Sequence, residues 1–162
     1  MKPPPWHDLE KIATDSHGVS STWFDMADGP NNEKALSILV AHDFPAWRVR
    51  LRSILQARSK WRVICEACDG LQAVQRTIEL RPDIVLLDIQ MPVLSGIEAA
   101  KLISKLSPGS RIVFVTQYDD SVFRNAALAT GAELYLLKSH VASELVPSVE
   151  SLSTTLNPVQ LK

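Results

Sequence analysis

From Leu36 onward, short apolar runs alternate five times with stretches of helical period. The runs are LSILVA (36–41), RVICEA (62–67), DIVLLD (83–88), RIVFVT (111–116) and ELYLLK (133–138). They are rich in Val, Ile and Leu and lack a polar alternation. That is how strands covered on both faces of a parallel sheet read. Between them, Trp47, Leu51, Ile54 and Leu55 recur at helical spacing, and Leu71, Val74 and Ile78 keep a similar period. Ser95 and Glu98 form a capping-box pattern ahead of Ile97, Ala100, Ile103 and Leu106. Asp119 and Asp120 precede a helix that Gly131 closes. Val141, Leu145, Val149, Leu152 and Leu156 mark a last helix. With Ser143 as its N-cap, Pro147 falls in the first turn, where a missing N–H costs little; otherwise the helix kinks there.

This alternation predicts an α/β fold: a five-stranded parallel sheet wound as (βα)5, with the flavodoxin-like strand order 2-1-3-4-5. Residues 1–34 read differently. Pro3-Pro4-Pro5, Gly18, Gly29-Pro30 and Asn31-Asn32 are breaker signals with no sustained period. They predict an N-terminal extension, largely disordered, in which Trp6, Trp23 and Phe24 leave room for a short docked segment. The folded domain is expected over 35–157, with a tail over 158–162.

Composition narrows the class. Apolar residues are 46% and charged residues 22%, a globular balance. The formal net charge is −1, so the chain lacks the basic excess of proteins held to nucleic acid by its phosphates. No apolar run approaches the ~18 residues of a membrane span, and MKPPPWHDLEK is too polar for a secretory leader. Two cysteines make no disulfide framework. A soluble cytoplasmic protein is the expectation.

In such sheets ligands bind beyond the carboxyl ends of the strands. The residues there are His42-Asp43, Asp88, Thr116 and Lys138, and the predicted order sets their strands side by side. A carboxylate on the middle strand can be a nucleophile toward a phosphoryl group. A second carboxylate can hold a divalent cation. Cation, hydroxyl and ammonium can each take one oxygen of the transferred group. No glycine follows the first strand, so dinucleotide and P-loop fingerprints are absent. Asp88-Ile89-Gln90 lacks the second Asp of a haloacid-dehalogenase-like phosphatase.

The segments ILVAHDFPAWRVRLRSIL, EACDGLQAV, PDIVLLDIQMPVLSGIEAAKLI, IVFVTQYDD and GAELYLLKS resemble the receiver domain of two-component response regulators over residues 36–157. The wording is closest to the NarL/FixJ branch, whose members usually carry a LuxR-type DNA-binding output. The resemblance implies that Asp88 is the phosphoacceptor, modified by a sensor histidine kinase, a phosphotransfer protein or a small phosphodonor. It implies Mg²⁺ held by Asp43, Asp88 and the Gln90 backbone carbonyl. Thr116 becomes the switch hydroxyl, Lys138 the phosphate-pairing lysine and Tyr135 the switch aromatic. Gln90 and Tyr118 fall where the family tunes how water reaches the acyl phosphate, and a bulky Tyr118 would shield it. Phosphorylation would shift a pre-existing equilibrium between two packings. No enzymatic activity beyond self-phosphorylation and self-dephosphorylation is implied.

His42 departs from the family, which usually has an acid there. Three readings stand: a working receiver with weakened Mg²⁺ affinity, a pseudo-receiver that interacts without phosphate, and a site retuned to a transition metal through imidazole. A small metal-dependent phosphohydrolase would need His42 as its acid and base. Cys65-x-x-Cys68 reads as core or rim thiols, with redox coupling as the alternative. Arg48, Arg50, Arg52, Arg58, Lys60 and Arg62 read as a solvated face or a steering surface for an acidic kinase domain. Ser139 stands where many receivers have a cis-proline. Too few residues follow Leu156 for a LuxR-type output, so a stand-alone receiver signalling to a downstream protein, or a chain cut short, is expected. A homodimer is a further expectation, and direct nucleic-acid or membrane binding is not.

Overall fold

The computed structural model describes residues 34–156; the predicted extension and tail lie outside the described residues, apart from Lys34. Strands β1 (Leu36–Ala41), β2 (Trp61–Ala67), β3 (Ile84–Leu87), β4 (Arg111–Thr116) and β5 (Leu134–Leu137) form one sheet in the order β2-β1-β3-β4-β5. Every neighbouring pair is parallel. Helices α1 (Pro45–Gln56), α2 (Gly70–Leu80), α3 (Gly96–Leu106), α4 (Ser121–Leu128) and α5 (Val141–Leu156) alternate with them. This is the predicted flavodoxin-like arrangement.

The continuous apolar runs split by parity, because successive side chains on a strand point to opposite faces. Leu39, Val85, Leu87 and Phe114 meet Ala73, Val74, Ala100 and Ile103 from α2 and α3 on one face. Ile38, Val40, Ile84, Leu86, Val113 and Val115 meet Leu51, Leu55, Leu145 and Val149 from α1 and α5 on the other. Both faces are buried, so no polar alternation survives in the sequence. Leu145 is fully buried in the second layer. Leu145→Ala is expected to cost about 3 kcal/mol, read as a lower denaturant midpoint at unchanged slope.

Local signals set the helix ends. Pro45 occupies the start of α1, where its fixed φ suits the first turn. Asp69 caps α2 by accepting from Gln72 N–H at 2.7 Å. Ser95 and Glu98 close both halves of the capping box on α3. Asp120 accepts from Val122 and Phe123 N–H and opens α4. That helix ends at Leu128, before Gly131, which takes φ +92° in the turn beyond it. Helix α5 corrects one expectation. It begins at Val141, with His140 carbonyl accepting from Ser143 and Glu144 N–H, so Ser143 is no N-cap and Pro147 lies inside the helix.

The foot of the sheet is tied by Asp83, whose side chain accepts from Ser37 N–H at 2.8 Å and Ser37 hydroxyl at 2.7 Å. That clamp fixes β1 against β3. The opposite edge, where β1, β3, β4 and β5 end, is left for chemistry.

Candidate functional site

The register pairs Ala41 with Leu87 and Thr116 with Leu137. The next residues along β1, β3 and β5 are therefore His42, Asp88 and Lys138. They open onto a cavity of about 550 Å³, also lined by Asp43, Phe44, Trp47, Gln90, Met91, Pro92 and Gln117. Asp88 is buried. Its Oδ1 accepts from Ile89 N–H at 2.9 Å. Its Oδ2 lies 3.2 Å from Lys138 Nζ and 3.4 Å from His42 Nε2. A carboxylate in a solvent-connected cavity thus has an ammonium beside it, the arrangement that tolerates a further negative group.

His42 is 3% exposed. Its Nδ1 accepts from Phe44 N–H at 3.0 Å and lies 3.1 Å from Asp43 Oδ1. Its Nε2 is buried with no hydrogen-bond partner; the 3.4 Å contact with Asp88 is not aligned for one. Burial holds the imidazole below the ordinary histidine pKa, with the Asp88 carboxylate opposing in part. The ring stacks on Trp47 at 6.0 Å between centroids and 11° between planes. Lys138 Nζ lies 5.2 Å from the same indole, over its face. Asp43 is half-exposed, and it, Asp88 and His42 each offer a ligand atom, all within 4.8 Å of one another.

Thr116 closes β4 fully buried. It does not line the cavity; its hydroxyl is 3.5 Å from Tyr118 N–H, which donates to it. Tyr118 stacks on Phe123 at 4.5 Å, and its hydroxyl donates to the Gln90 side chain. Tyr135 is buried, its hydroxyl donating to the Tyr118 carbonyl at 2.7 Å, and Arg124 lies over its ring. Burial raises the Tyr135 pKa above the ordinary value. So the predicted strand-end residues His42, Asp43, Asp88 and Lys138 converge on the cavity, whereas Thr116 and the strand residue Tyr135 are buried and do not line it.

Residues 38–150 match the response regulator receiver domain family. The chain belongs to that family. It is 40% identical over 114 residues to the transcriptional regulatory protein LnrK of Bacillus subtilis, covering 70% of this chain and 52% of the relative. Among solved structures, it resembles the response regulator domain of Thermotoga maritima CheB, with TM-score 0.69, 33% identity, and 74% and 96% of the two chains covered. It also resembles a LuxR-family two-component response regulator from Aurantimonas sp. SI85-9A1, with TM-score 0.70, 32% identity, and 74% and 86% covered. The relatives are of the NarL/LuxR type, and the chain spans about half the length of curated relatives such as LnrK, its matched residues falling in the receiver region.

Receiver domains generally bind Mg²⁺ at an acidic pocket. Here the donors are two carboxylates and an imidazole whose buried Nε2 is unpartnered, so the set fits a divalent cation with one nitrogen in place of an oxygen. Among the described residues, no helix is long and apolar enough to cross a membrane.

Sequence reasoning missed the second role of Trp47 in this receiver. It packs against the core on the α1/α5 side, as its helical spacing indicates, and it also walls the cavity against His42 and Lys138. The only signal was position: it lies in the first turn after a strand end. The basic run also reads differently. Arg48 and Arg52 both pair with Glu66 on β2, at 3.1 and 2.8 Å, and Arg58 pairs with Glu150 at 3.2 Å. Arg48 additionally donates to the His42 carbonyl at 2.7 Å. Cys65 is half-buried and Cys68 exposed, both free; burial raises the Cys65 pKa.

Proposed function

We propose that this receiver accepts a phosphoryl group on Asp88 and signals through the resulting change of shape. The observation that carries the reading is Lys138 Nζ at 3.2 Å from Asp88 Oδ2, on the wall of a cavity shared with Asp43. An Asp88 oxygen attacks phosphorus. The bond from phosphorus to the donor breaks, whether to a histidine nitrogen of a kinase or phosphotransfer protein or to the oxygen of a small acyl phosphate. A mixed anhydride forms on Asp88. Lys138 neutralises one phosphoryl oxygen. Asp43, Asp88 and the Gln90 carbonyl would hold the Mg²⁺, which supplies charge neutralisation.

Thr116 and Tyr135 are the switch. Thr116 turns from Tyr118 N–H toward the phosphoryl oxygen, and the α4–β5 face repacks. The receiver would act through a downstream protein or a second copy of itself. Intact mass after incubation with acetyl phosphate and Mg²⁺ tests the reading: a labile gain of one phosphoryl group supports it, and no gain overturns it.

A second reading has His42 behind it. Imidazole and ammonium already flank Asp88, so the fold could present its interaction face without phosphate. That pseudo-receiver would bind its partner equally well before and after acetyl phosphate treatment.

The Tyr118 hydroxyl donates to the side chain of Gln90, which lines the cavity. That bond restricts the path by which water reaches the acyl phosphate. Tyr118→Ala is expected to shorten the phosphoryl lifetime by about fivefold, the equivalent of one lost hydrogen bond of roughly 1 kcal/mol. A time course of intact mass after removal of the phosphodonor checks it.

A further inference from the structure

We propose that the cavity beside Asp88 is a nitrogen-containing site for a first-row transition divalent cation, with His42 Nε2 and Asp88 as direct ligands and Asp43 as the acceptor that orients the imidazole. The inference deepens the receiver reading, since it concerns the cation site of the same pocket. It does not require that Asp88 be phosphorylated.

Three observations converge. His42 is 3% exposed and its Nε2 has no hydrogen-bond partner, although it faces the cavity carboxylate. A buried polar atom without a partner is costly, and a ligand relieves it. Second, Nε2 and Asp88 Oδ2 are 3.4 Å apart. Two donors each ~2.1 Å from a common ion, across an angle of roughly 110°, have that spacing. Third, Asp43 Oδ1 is 3.1 Å from His42 Nδ1. A metal-bound histidine donates its other ring N–H, often to a carboxylate.

The proton balance is simple. Nδ1 now accepts from Phe44 N–H, so the neutral ring carries its proton on Nε2. On coordination that proton passes to Nδ1, where Asp43 Oδ1 accepts it. Asp43 then steadies the ring from its far side and is not a ligand of the ion held at Nε2, and Phe44 N–H gives up its bond to Nδ1 at an exposed residue. Mg²⁺ prefers an octahedron of oxygens, whereas imidazole favours the later divalent ions.

The test uses the full chain without phosphodonor, in a Cys65→Ser/Cys68→Ser background that removes the thiolates. Calorimetry compares Co²⁺ with Mg²⁺. Co²⁺ is expected to bind roughly 10–100-fold more tightly than Mg²⁺, and His42→Asp to narrow that ratio at least about tenfold. An unchanged ratio overturns the proposal. Pulsed electron paramagnetic resonance of the Mn²⁺-loaded protein needs no His42 variant. A directly coupled ¹⁴N is expected, and an all-oxygen first shell overturns the proposal. Acetyl phosphate labelling with Mg²⁺ is run separately. Absence of labelling refutes the receiver reading and leaves the metal selectivity standing, whereas labelling with an all-oxygen shell refutes only the nitrogen ligand.

Discussion

Asp88→Asn is expected to abolish phosphoryl incorporation from acetyl phosphate, read by intact mass, where the parent chain is expected to gain a labile phosphoryl group. The reason is chemical: an amide is not a nucleophile toward phosphorus under these conditions, and no other carboxylate replaces it. Asp43 is the nearest alternative, but it is half-exposed, and its carboxylate lies against His42 rather than a lysine. Lys138 has only 12% of its side chain exposed, so losing its partner leaves an under-compensated ammonium and lowers Tm as well. Asp88→Glu separates the two effects. It keeps the charge, and so most of the stability, but moves the carboxylate by one methylene, and incorporation is expected to fall by at least about a hundredfold. Incorporation at undiminished rate in Asp88→Asn would refute the assignment of the phosphoacceptor.

Gly96→Ala is expected to cost on the order of 4 kcal/mol, the upper end for overpacking a rigid site. A Cβ at Gly96 would stand 1.8 Å from the Asp88 carbonyl oxygen and 2.8 Å from its carbon. Those are backbone atoms, which cannot swing aside as a side-chain tip can. Gly96 N–H also donates to the Ile89 carbonyl at 2.8 Å, so the start of α3 is bonded to the peptide next to Asp88. The substitution must push the helix from the strand end or displace residue 88. Both routes predict a lower Tm, and the second predicts slower labelling of the protein that remains folded. Gly109→Ala is the control, because a Cβ there meets nothing within 4 Å. A Gly96→Ala protein that melts within a degree or two of the parent would refute this account.

Strand positions were legible in the sequence because burial on both faces leaves long apolar runs, and their ends marked His42, Asp43, Asp88, Thr116 and Lys138 before any geometry was known. Capping residues Ser95, Glu98 and Asp120 act locally, so they too could be read. What escaped depends on contacts between distant segments. Trp47 carried the period of a core residue and does pack there, but nothing local shows that the same indole also walls a cavity. Glu66 on β2 takes up Arg48 and Arg52 across the sheet edge, which a scan along α1 alone cannot see. Pro147 sits in the first turn only if Ser143 is the cap, but the His140 carbonyl starts α5 instead, which no side-chain signal marks. The unpartnered Nε2 of His42 was equally invisible, since its isolation depends on the tilt of a buried ring.

Tyr135 is anchored through its hydroxyl to a main-chain atom, the Tyr118 carbonyl, and not to the Tyr118 phenol. Every amino acid at position 118 presents that same acceptor. If the proposed roles of Tyr118 and Tyr135 hold, swapping the side chain at 118 would retune the duration of a signal while the seat of the aromatic lever stays put. Timing and amplitude would then be separately adjustable, and evolution could slow or hasten the clock without rebuilding the machine it drives.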